Sequence, residues 1–375
     1  MLTKVRMLPL SFLQLSTQFE NAGDCLINRE LMRLVAEHSE ICLETGHSPE
    51  RFAQQVASAV PNERRRRNRL PFYAEMLFAR LRRRECYWFL MPGAVIRQKT
   101  NSFPLLARVH DLALMLAFWM GVRICKLGAS FGDLTDEQLA IWRRRRRWLF
   151  LLSPRDSISQ TYLESRGIRC DSWIPDLSFN IFGAEADPSG AANDQETVAC
   201  LSFRIDQYDQ QAADVTKLAE AVCRNTPGNP RWRMVVQVAR DRPGMEALHS
   251  RLQAMGVAVE PLVDVHTDVE ACLDSYRGVS LVVSNRLHVL LMAASCGARV
   301  LALCQGPGGR KLEGLLRDLG LEAAIVDDSH PDRVVRSTER GLPISGLAER
   351  DRLRDAIAAL FQTRPGHLPN DQFST

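Results

Sequence analysis

The sequence predicts a chain of two doubly wound α/β domains, on three observations. Short apolar runs alternate with segments of helical period along most of the chain, the pattern of a largely parallel sheet with helices on its faces. One stretch, 183–196, is rich in small and turn-forming residues without any period and reads as a linker. The length, 375 residues, suits two domains rather than one. The expected organisation is therefore a first domain over 1–182, the linker 183–196, a second domain over 197–345, and a closing helix with a tail over 346–375.

Taken in order, the apolar run at about 8–15 reads as a first buried strand. Gln14, Ser16 and Gln18 interrupt it and no small-residue cleavage site follows, which argues against an export signal. Asn21 and Asp24 have the spacing of a helix-capping pair ahead of Ile27, Leu31, Leu34 and Val35, which recur at helical period. Further strands are expected at Cys86–Met91, Ile124–Leu127 and Trp148–Leu152, with Gly128–Gly132 as a glycine-containing loop. Beyond the linker, strands are expected at Thr197–Phe203, Arg233–Ala239, Val257–Glu260, Val279–Val283 and Arg299–Cys304. Helices fall near 209–224, at Met245–Met255, from about Asp268, at Arg286–Ser295 and at Lys311–Leu319, two of them closed by Gly256 and Gly297. A last amphipathic helix near 347–361 carries Leu347, Leu353, Ile357 and Leu360 toward one side and can pack on either domain.

Composition narrows the classes. With 46% hydrophobic residues the chain is not disordered, and apolar stretches such as Leu112 to Val122 are too short to span a bilayer. Ten cysteines are scattered with no CxxC pair and no histidine at ligand spacing, so no metal and no disulfide scaffold is expected. They read as small buried residues of a protein in a reducing cytoplasm. The net charge of +4 hides an asymmetry: residues 1–170 carry 27 basic and 16 acidic side chains, residues 171–375 carry 21 and 28. Each run, such as Arg64–Arg67 or Arg143–Arg147, reads by itself as a solvated helix face. Several in one half point to an anionic membrane surface as a partner, with the protein peripheral to the inner face of the cytoplasmic membrane. No nucleic-acid motif accompanies them, so no nucleic acid is expected.

In two open sheets facing a cleft, ligands bind beyond the carboxyl ends of the strands, so the strand-to-helix turns carry the chemistry. The most informative is Ser284-Asn285-Arg286-Leu287-His288. With Ser284 as the helix cap, Arg286 and His288 fall in or near the first turn, where the backbone N–H groups already make the potential positive. Cationic groups there are costly unless an anion is bound, so the turn reads as an anion site. Arg204, directly after an apolar strand, and Arg155, after Ser153-Pro154, are further anion-binding candidates, with a structural ion pair as the competing reading for Arg155. Lys311, after Gly306–Gly309, can reach a phosphate. The absence of GxxxxGK[ST], HExxH and GxSxG from the sequence argues against P-loop hydrolases, zincins and serine hydrolases.

Together these residues resemble the polysaccharide pyruvyl transferase family. The resemblance runs from Asn21-Ala22-Gly23-Asp24, through Gly128–Gly132, Ser153–Asp156 with Ser159 and Leu163, and Pro175-Asp176-Leu177, to Arg204, Ser284–His288 and 311–320. Arg286-Leu287-His288 is its most specific element. The family commonly has a glycine run where this chain has Leu90-Met91-Pro92-Gly93-Ala94. The resemblance implies a fold like that of GT-B glycosyltransferases, two Rossmann-like domains facing a cleft. It also implies phosphoenolpyruvate as donor substrate, with no further cofactor, and a sugar acceptor that receives a cyclic pyruvyl ketal while phosphate is released. By the same resemblance Arg204, Arg286, Leu287 and His288 hold phosphoenolpyruvate.

The residues suit that chemistry. Phosphoenolpyruvate carries a phosphate and a carboxylate, which guanidinium groups clamp, and an imidazole beside a bound dianion is favoured in its protonated form. His288 is expected to be the general acid and Arg204 and Arg286 the electrostatic clamp. Ser284, Leu287, Arg155, Lys311, Asn21, Gly23, Asp24 and Asp176 are expected around the substrates, Asp24 and Asp176 being the candidates for base. Two other functions fit the same architecture: a GT-B glycosyltransferase using a sugar nucleotide, and a non-catalytic subunit of a polysaccharide assembly complex.

Overall fold

The computed structural model describes residues 7–58, 64–95, 103–183, 197–205, 209–304, 306–326 and 342–363. The expected linker beyond Gly183 and the tail beyond residue 363 lie outside the described residues. Contacts divide the chain into two units, one of Met1–Thr17, Ile27–Leu177 and Asp351–Thr375, the other of Gln18–Leu26 and Ser178–Arg350.

The first unit holds seven strands: β1 (Leu10–Gln14), β2 (Glu40–Glu44), β3 (Arg64–Arg66), β4 (Cys86–Leu90), β5 (Gly93–Val95), β6 (Arg123–Phe131) and β7 (Leu149–Pro154). They form one parallel sheet in the order β3-β2-β1-β4-β6-β5, with β7 also paired to β6. All five residues of β4, Cys-Tyr-Trp-Phe-Leu, are buried, as a central parallel strand covered on both faces requires. Helices Arg69–Leu81, Phe103–Trp119 and Asp136–Arg145 share one core with that sheet, through Phe72 and Met76, Leu114, and Trp142 respectively. The last helix, Leu347–Gln362, packs on this unit: the Tyr87 hydroxyl lies 3.3 Å from the Leu360 carbonyl and the Tyr87 and Phe361 rings are 4.5 Å apart.

Two expectations for this unit are corrected. Gly128–Phe131 is not a loop but the continuation of β6. Gly128 takes φ +62, the pairing with β7 shifts register between Leu127 and Ala129, and the bulge lets the strand run on. The position is reserved for glycine twice over, because a Cβ there would also meet the Leu177 side chain at 3.0 Å. The run at Arg64 is likewise no helix face. It is the edge strand β3, where a row of like charges conceals the two-residue period and at the same time guards the open edge. Its guanidiniums pair inward, Arg64 with Glu40 and Glu75 and Arg66 with Glu75. In the second run Arg144 and Arg145 both pair with Asp111, and Arg146 with Asp171.

The second unit is built on β8 (Val198–Ser202), β9 (Arg231–Val236), β10 (Val263–Asp264), β11 (Leu281–Ser284), β12 (Arg299–Leu303) and β13 (Ile325–Val326). All neighbours are parallel, in the order β10-β9-β8-β11-β12-β13. Counted within the unit this is 3-2-1-4-5-6, the doubly wound order, so the direction of winding reverses between β8 and β11. The strand expected at Val257–Glu260 is reduced to a single bridge between Val259 and Trp232, and the edge is taken by β10 instead.

The division of the chain departs from the expected 1–182 and 197–345 at one instructive place. The segment Gln18–Leu26 clusters with the second unit because its backbone finds partners at the end of β9. Asn21 bridges Val238, Ala22 N donates to Gln237 O at 3.2 Å, and Ala239 N donates to Glu20 O at 3.1 Å. The cysteines form no disulfide, and burial pushes the Cys86 thiol up to about 11 and the Cys223 thiol to about 12, so these thiols stay protonated and inert. Among the described residues no helix is long and apolar enough to cross a membrane.

Candidate functional site

The carboxyl ends of β9, β8 and β11, neighbours at the point where the winding reverses, deliver a cluster of cations. Strand β8 is followed by Phe203, which is buried, and the chain then exposes Arg204 before burying Ile205. Asn285, just past β11, holds that turn by its side-chain amide: Arg204 N donates to Asn285 Oδ1 at 2.6 Å, and Asn285 Nδ2 donates to Arg204 O at 3.1 Å. Gly244 at the start of the helix Arg242–Ala254 makes room for the same turn, since a Cβ there would meet Ile205 at 2.5 Å. Past β9 the chain makes a 3-10 turn, Ala239–Asp241, that presents Arg240 and buries Asp241.

The helix Leu287–Ser295 begins one residue later than expected, and its cap lies two residues later. Ser284 is not its cap but the last residue of β11, its hydroxyl hydrogen-bonded to Ser202 O and accepting from Arg286 N at 3.0 Å. Arg286 occupies the N-cap position with extended backbone, φ −115 and ψ 123, and makes no side-chain cap bond. Its side chain is thereby released inward: it is 13% exposed and ion-paired with Asp241. Burial pushes the Arg286 guanidinium down from its ordinary value, Asp241 draws it back up, and the charges of Arg240 and Arg204 push it down again. Arg240 and Arg204 thus both lie within electrostatic reach of Arg286, and Asp241 is the carboxylate paired with Arg286. Arg286 Nε is buried and has no hydrogen-bond partner among the described residues, so one face of the fork is available to an oxyanion.

Leu287 and His288 follow as the first two helical residues. His288 lies against Gly23, where a Cβ would clash with Nδ1 and come within 2.9 Å of Cβ and Cγ of the ring. Gly23 is therefore a requirement of close approach. Its own N–H is held by Asn21 Oδ1 at 2.9 Å, which makes Asn21 the cap of the helix Ala22–Ala36. Asp24 Oδ2 accepts from Gln18 N at 3.2 Å and so fastens the turn that carries Gly23. The second unit thus gathers Asn21, Gly23, Asp24, Arg204, Ser284, Arg286, Leu287 and His288 from the expected set. It adds Asn285, Arg240 and Asp241, which no local sequence signal singles out.

The remaining candidates are placed otherwise. Arg155 and Asp176, both in the first unit, pair with each other at 2.8 Å and are buried. Arg155 Nε also donates to Ser130 Oγ, and Ser130 Oγ donates to Asp156 Oδ2 at 2.9 Å, so the pair belongs to a closed buried network. Lys311 lies in the helix Gly306–Asp318, but its side chain is outside the described residues.

The fold has solved counterparts. The UDP-N-acetylglucosamine 2-epimerase of Neisseria meningitidis, bound to UDP-GlcNAc, is similar over 94% of this chain and 99% of its own, with TM-score 0.55 and 10% identity. The Anabaena protein HepE in complex with UDP-glucose is similar over 95% and 94%, with TM-score 0.52 and 15% identity. A trehalose 6-phosphate synthase of Burkholderia multivorans matches over 95% and 96%, with TM-score 0.52 and 12% identity. These likenesses place the chain in the GT-B-like class, an α/β fold of two Rossmann-like domains. No curated protein matches in sequence. The family model for polysaccharide pyruvyl transferase matches residues 21–303, most of the chain and all of the cluster just described. The chain belongs to the polysaccharide pyruvyl transferase family, and a transferase of polysaccharide biosynthesis is the class it joins.

Proposed function

We propose that the protein transfers the pyruvyl group of phosphoenolpyruvate to two hydroxyls of a sugar, as a cyclic ketal, on a lipid-linked precursor of a bacterial polysaccharide such as an exopolysaccharide. The observation that carries this reading is the buried Arg286, paired to one carboxylate yet within the field of Arg204 and Arg240, with Nε unengaged. A site with that surplus of fixed positive charge suits a small, multiply charged anion bearing both phosphate and carboxylate. In this reading Arg286 and Arg204 clamp the donor, and the backbone N–H groups opening the helix at Leu287 add to the positive potential.

The reaction then divides among the residues in a balanced way. His288 gives its proton to the methylene carbon of phosphoenolpyruvate, leaving an oxocarbenium-like centre that the first sugar hydroxyl attacks as it loses its own proton. Phosphate departs with its bonding electron pair, and the second hydroxyl closes the ketal, its proton passing to the departing phosphate. Asp24, in the same turn as Gly23, is the carboxylate assigned to accept the hydroxyl proton, since Asp176 is engaged by Arg155. Incubation with phosphoenolpyruvate and a panel of lipid-linked and model glycosides is expected to give products heavier by pyruvate less one water, with one phosphate released for each. Absence of both across the panel contradicts the proposal.

A second reading is favoured by one observation: similar structures are named for their complexes with UDP-glucose and UDP-GlcNAc. A sugar-nucleotide transferase would bind such a nucleotide in preference to phosphoenolpyruvate. Tight phosphoenolpyruvate binding without turnover would instead favour a non-catalytic subunit.

A further inference from the structure

The exposed apolar residues of the first unit are not scattered. Leu70, Leu77, Phe78 and Leu81 recur along one face of the helix Arg69–Leu81, directly opposite the buried Phe72, Met76 and Ala79. On the helix Phe103–Trp119 the same holds for Val109, Leu112, Leu116 and Trp119, opposite Leu114 and Ala117. Both helices cover the same side of the sheet, since they share one core, and Arg80 Nε donates to the Met120 carbonyl at 2.8 Å. Their outward stripes therefore face the same way. The exposure is large where it matters: Phe78 is 60% exposed and Leu81 and Trp119 are each 69% exposed.

From this geometry we propose that the two helices form a docking surface for an anionic lipid bilayer. Charge selects lipid over a protein partner. Each helix contains one acidic residue, and neither faces outward: Glu75 is turned to Arg64 and Arg66, and Asp111 is buried under Arg144 and Arg145. Among the described residues the exposed charges bordering the stripes are Arg69 at the start of the first helix, Arg82 and Arg83 in the turn just past its end, and Arg108 on the second helix. An apolar stripe with aromatics and a cationic rim is the composition of a helix that lies in the headgroup boundary. The helices are held in place by the core beneath them, so docking requires no ordering of chain. Of the arginines that first suggested a membrane, Arg64, Arg66, Arg144, Arg145 and Arg146 are engaged in ion pairs, whereas Arg82 and Arg83 are exposed and belong to this surface. The surface is also independent of the donor chemistry, because lipid binding is measured without phosphoenolpyruvate.

Flotation of the full chain with vesicles of phosphatidylcholine, with and without about a third of phosphatidylglycerol, tests it. The protein is expected to float with the anionic vesicles at low salt, to be released by high salt, and to show a blue shift in emission that Trp119→Phe reduces. Arg82→Gln with Arg83→Gln is expected to weaken partitioning about thirtyfold. Phe78→Ser with Trp119→Ser is expected to weaken it about tenfold, because buried apolar area is lost. Far-ultraviolet dichroism and the unfolding midpoint of each variant are expected to match the parent, as all four side chains are exposed. Three results would each overturn the proposal: no flotation with anionic vesicles, flotation of both variants equal to the parent, or a lipid-free dimer that Phe78→Ser with Trp119→Ser dissolves.

Discussion

Arginines at the carboxyl ends of strands occur in both units, and the two settings have opposite electrostatics. In the first unit Arg155 follows β7 and is matched: Asp176 takes one nitrogen, Ser130 another, and Asp156 closes the network behind them. In the second unit Arg286, Arg204 and Arg240 follow β11, β8 and β9, and Asp241 is the carboxylate set against Arg286. The first arrangement is complete in itself and reads as structure. In the second, Arg286 Nε is buried without a hydrogen-bond partner among the described residues, and the charges of Arg240 and Arg204 act on the same guanidinium; on the proposed reading this is the arrangement that takes an anion.

The comparison can be broken in several ways, the largest first. Arg286→Gln is expected to lower the turnover of phosphoenolpyruvate by about a thousandfold, the scale of a lost transition-state donor, read as phosphate release. Arg155→Ala is expected to act on the fold: leaving Asp176 buried and unmatched costs about 3–5 kcal/mol, seen as a lower denaturant midpoint. Gly23→Ala is expected to displace the His288 ring and cut kcat about a hundredfold, while phosphoenolpyruvate affinity by calorimetry changes little. Asn285→Ala removes both bonds that hold the Arg204 turn, and a loss of about 1–2 kcal/mol in donor binding is expected.

The smallest effect concerns a cation of the first unit that is paired with no carboxylate among the described residues. Lys126 is buried, donates to the Met91 carbonyl, and is pushed down to about 7, first by burial and then by the charge of Arg145. Because its folded value lies below the unfolded one, the unfolded chain binds more protons between about pH 7 and 10.5. Stability from this group is therefore full above that window and is lost as pH falls through it. Lys126→Met is expected to raise stability at pH 7 by about 1–2 kcal/mol and to bring little gain near pH 10.5, as denaturation at the two pH values would show.

Much of this architecture was legible in the sequence, for identifiable reasons. The doubly wound class follows from apolar runs such as Val198–Phe203 and Leu281–Val283 set between helical periods, and the place of Arg204 and Arg286 at strand ends follows with it. Residues that act through tertiary contact were not legible. Asn285 matters because it grips a turn more than eighty positions away, Gly23 because of a ring brought to it by the fold, and Asp241 because it pairs with Arg286. Arg64–Arg66 misled because like charges erase the alternation of an edge strand. The helix Arg69–Leu81 was missed because apolar residues on its outer face blur the helical period.

The proposed function puts phosphoenolpyruvate at the cluster of Arg286, Arg204 and Arg240 in the second unit. Isothermal titration of the full chain with phosphoenolpyruvate, beside Arg286→Gln and beside UDP-glucose, tests it most directly. The predicted result is one saturable site for phosphoenolpyruvate in the parent, weakened at least about a hundredfold in the variant, and no comparable heat from UDP-glucose. Equal phosphoenolpyruvate binding by parent and variant, or preference for UDP-glucose, would contradict it.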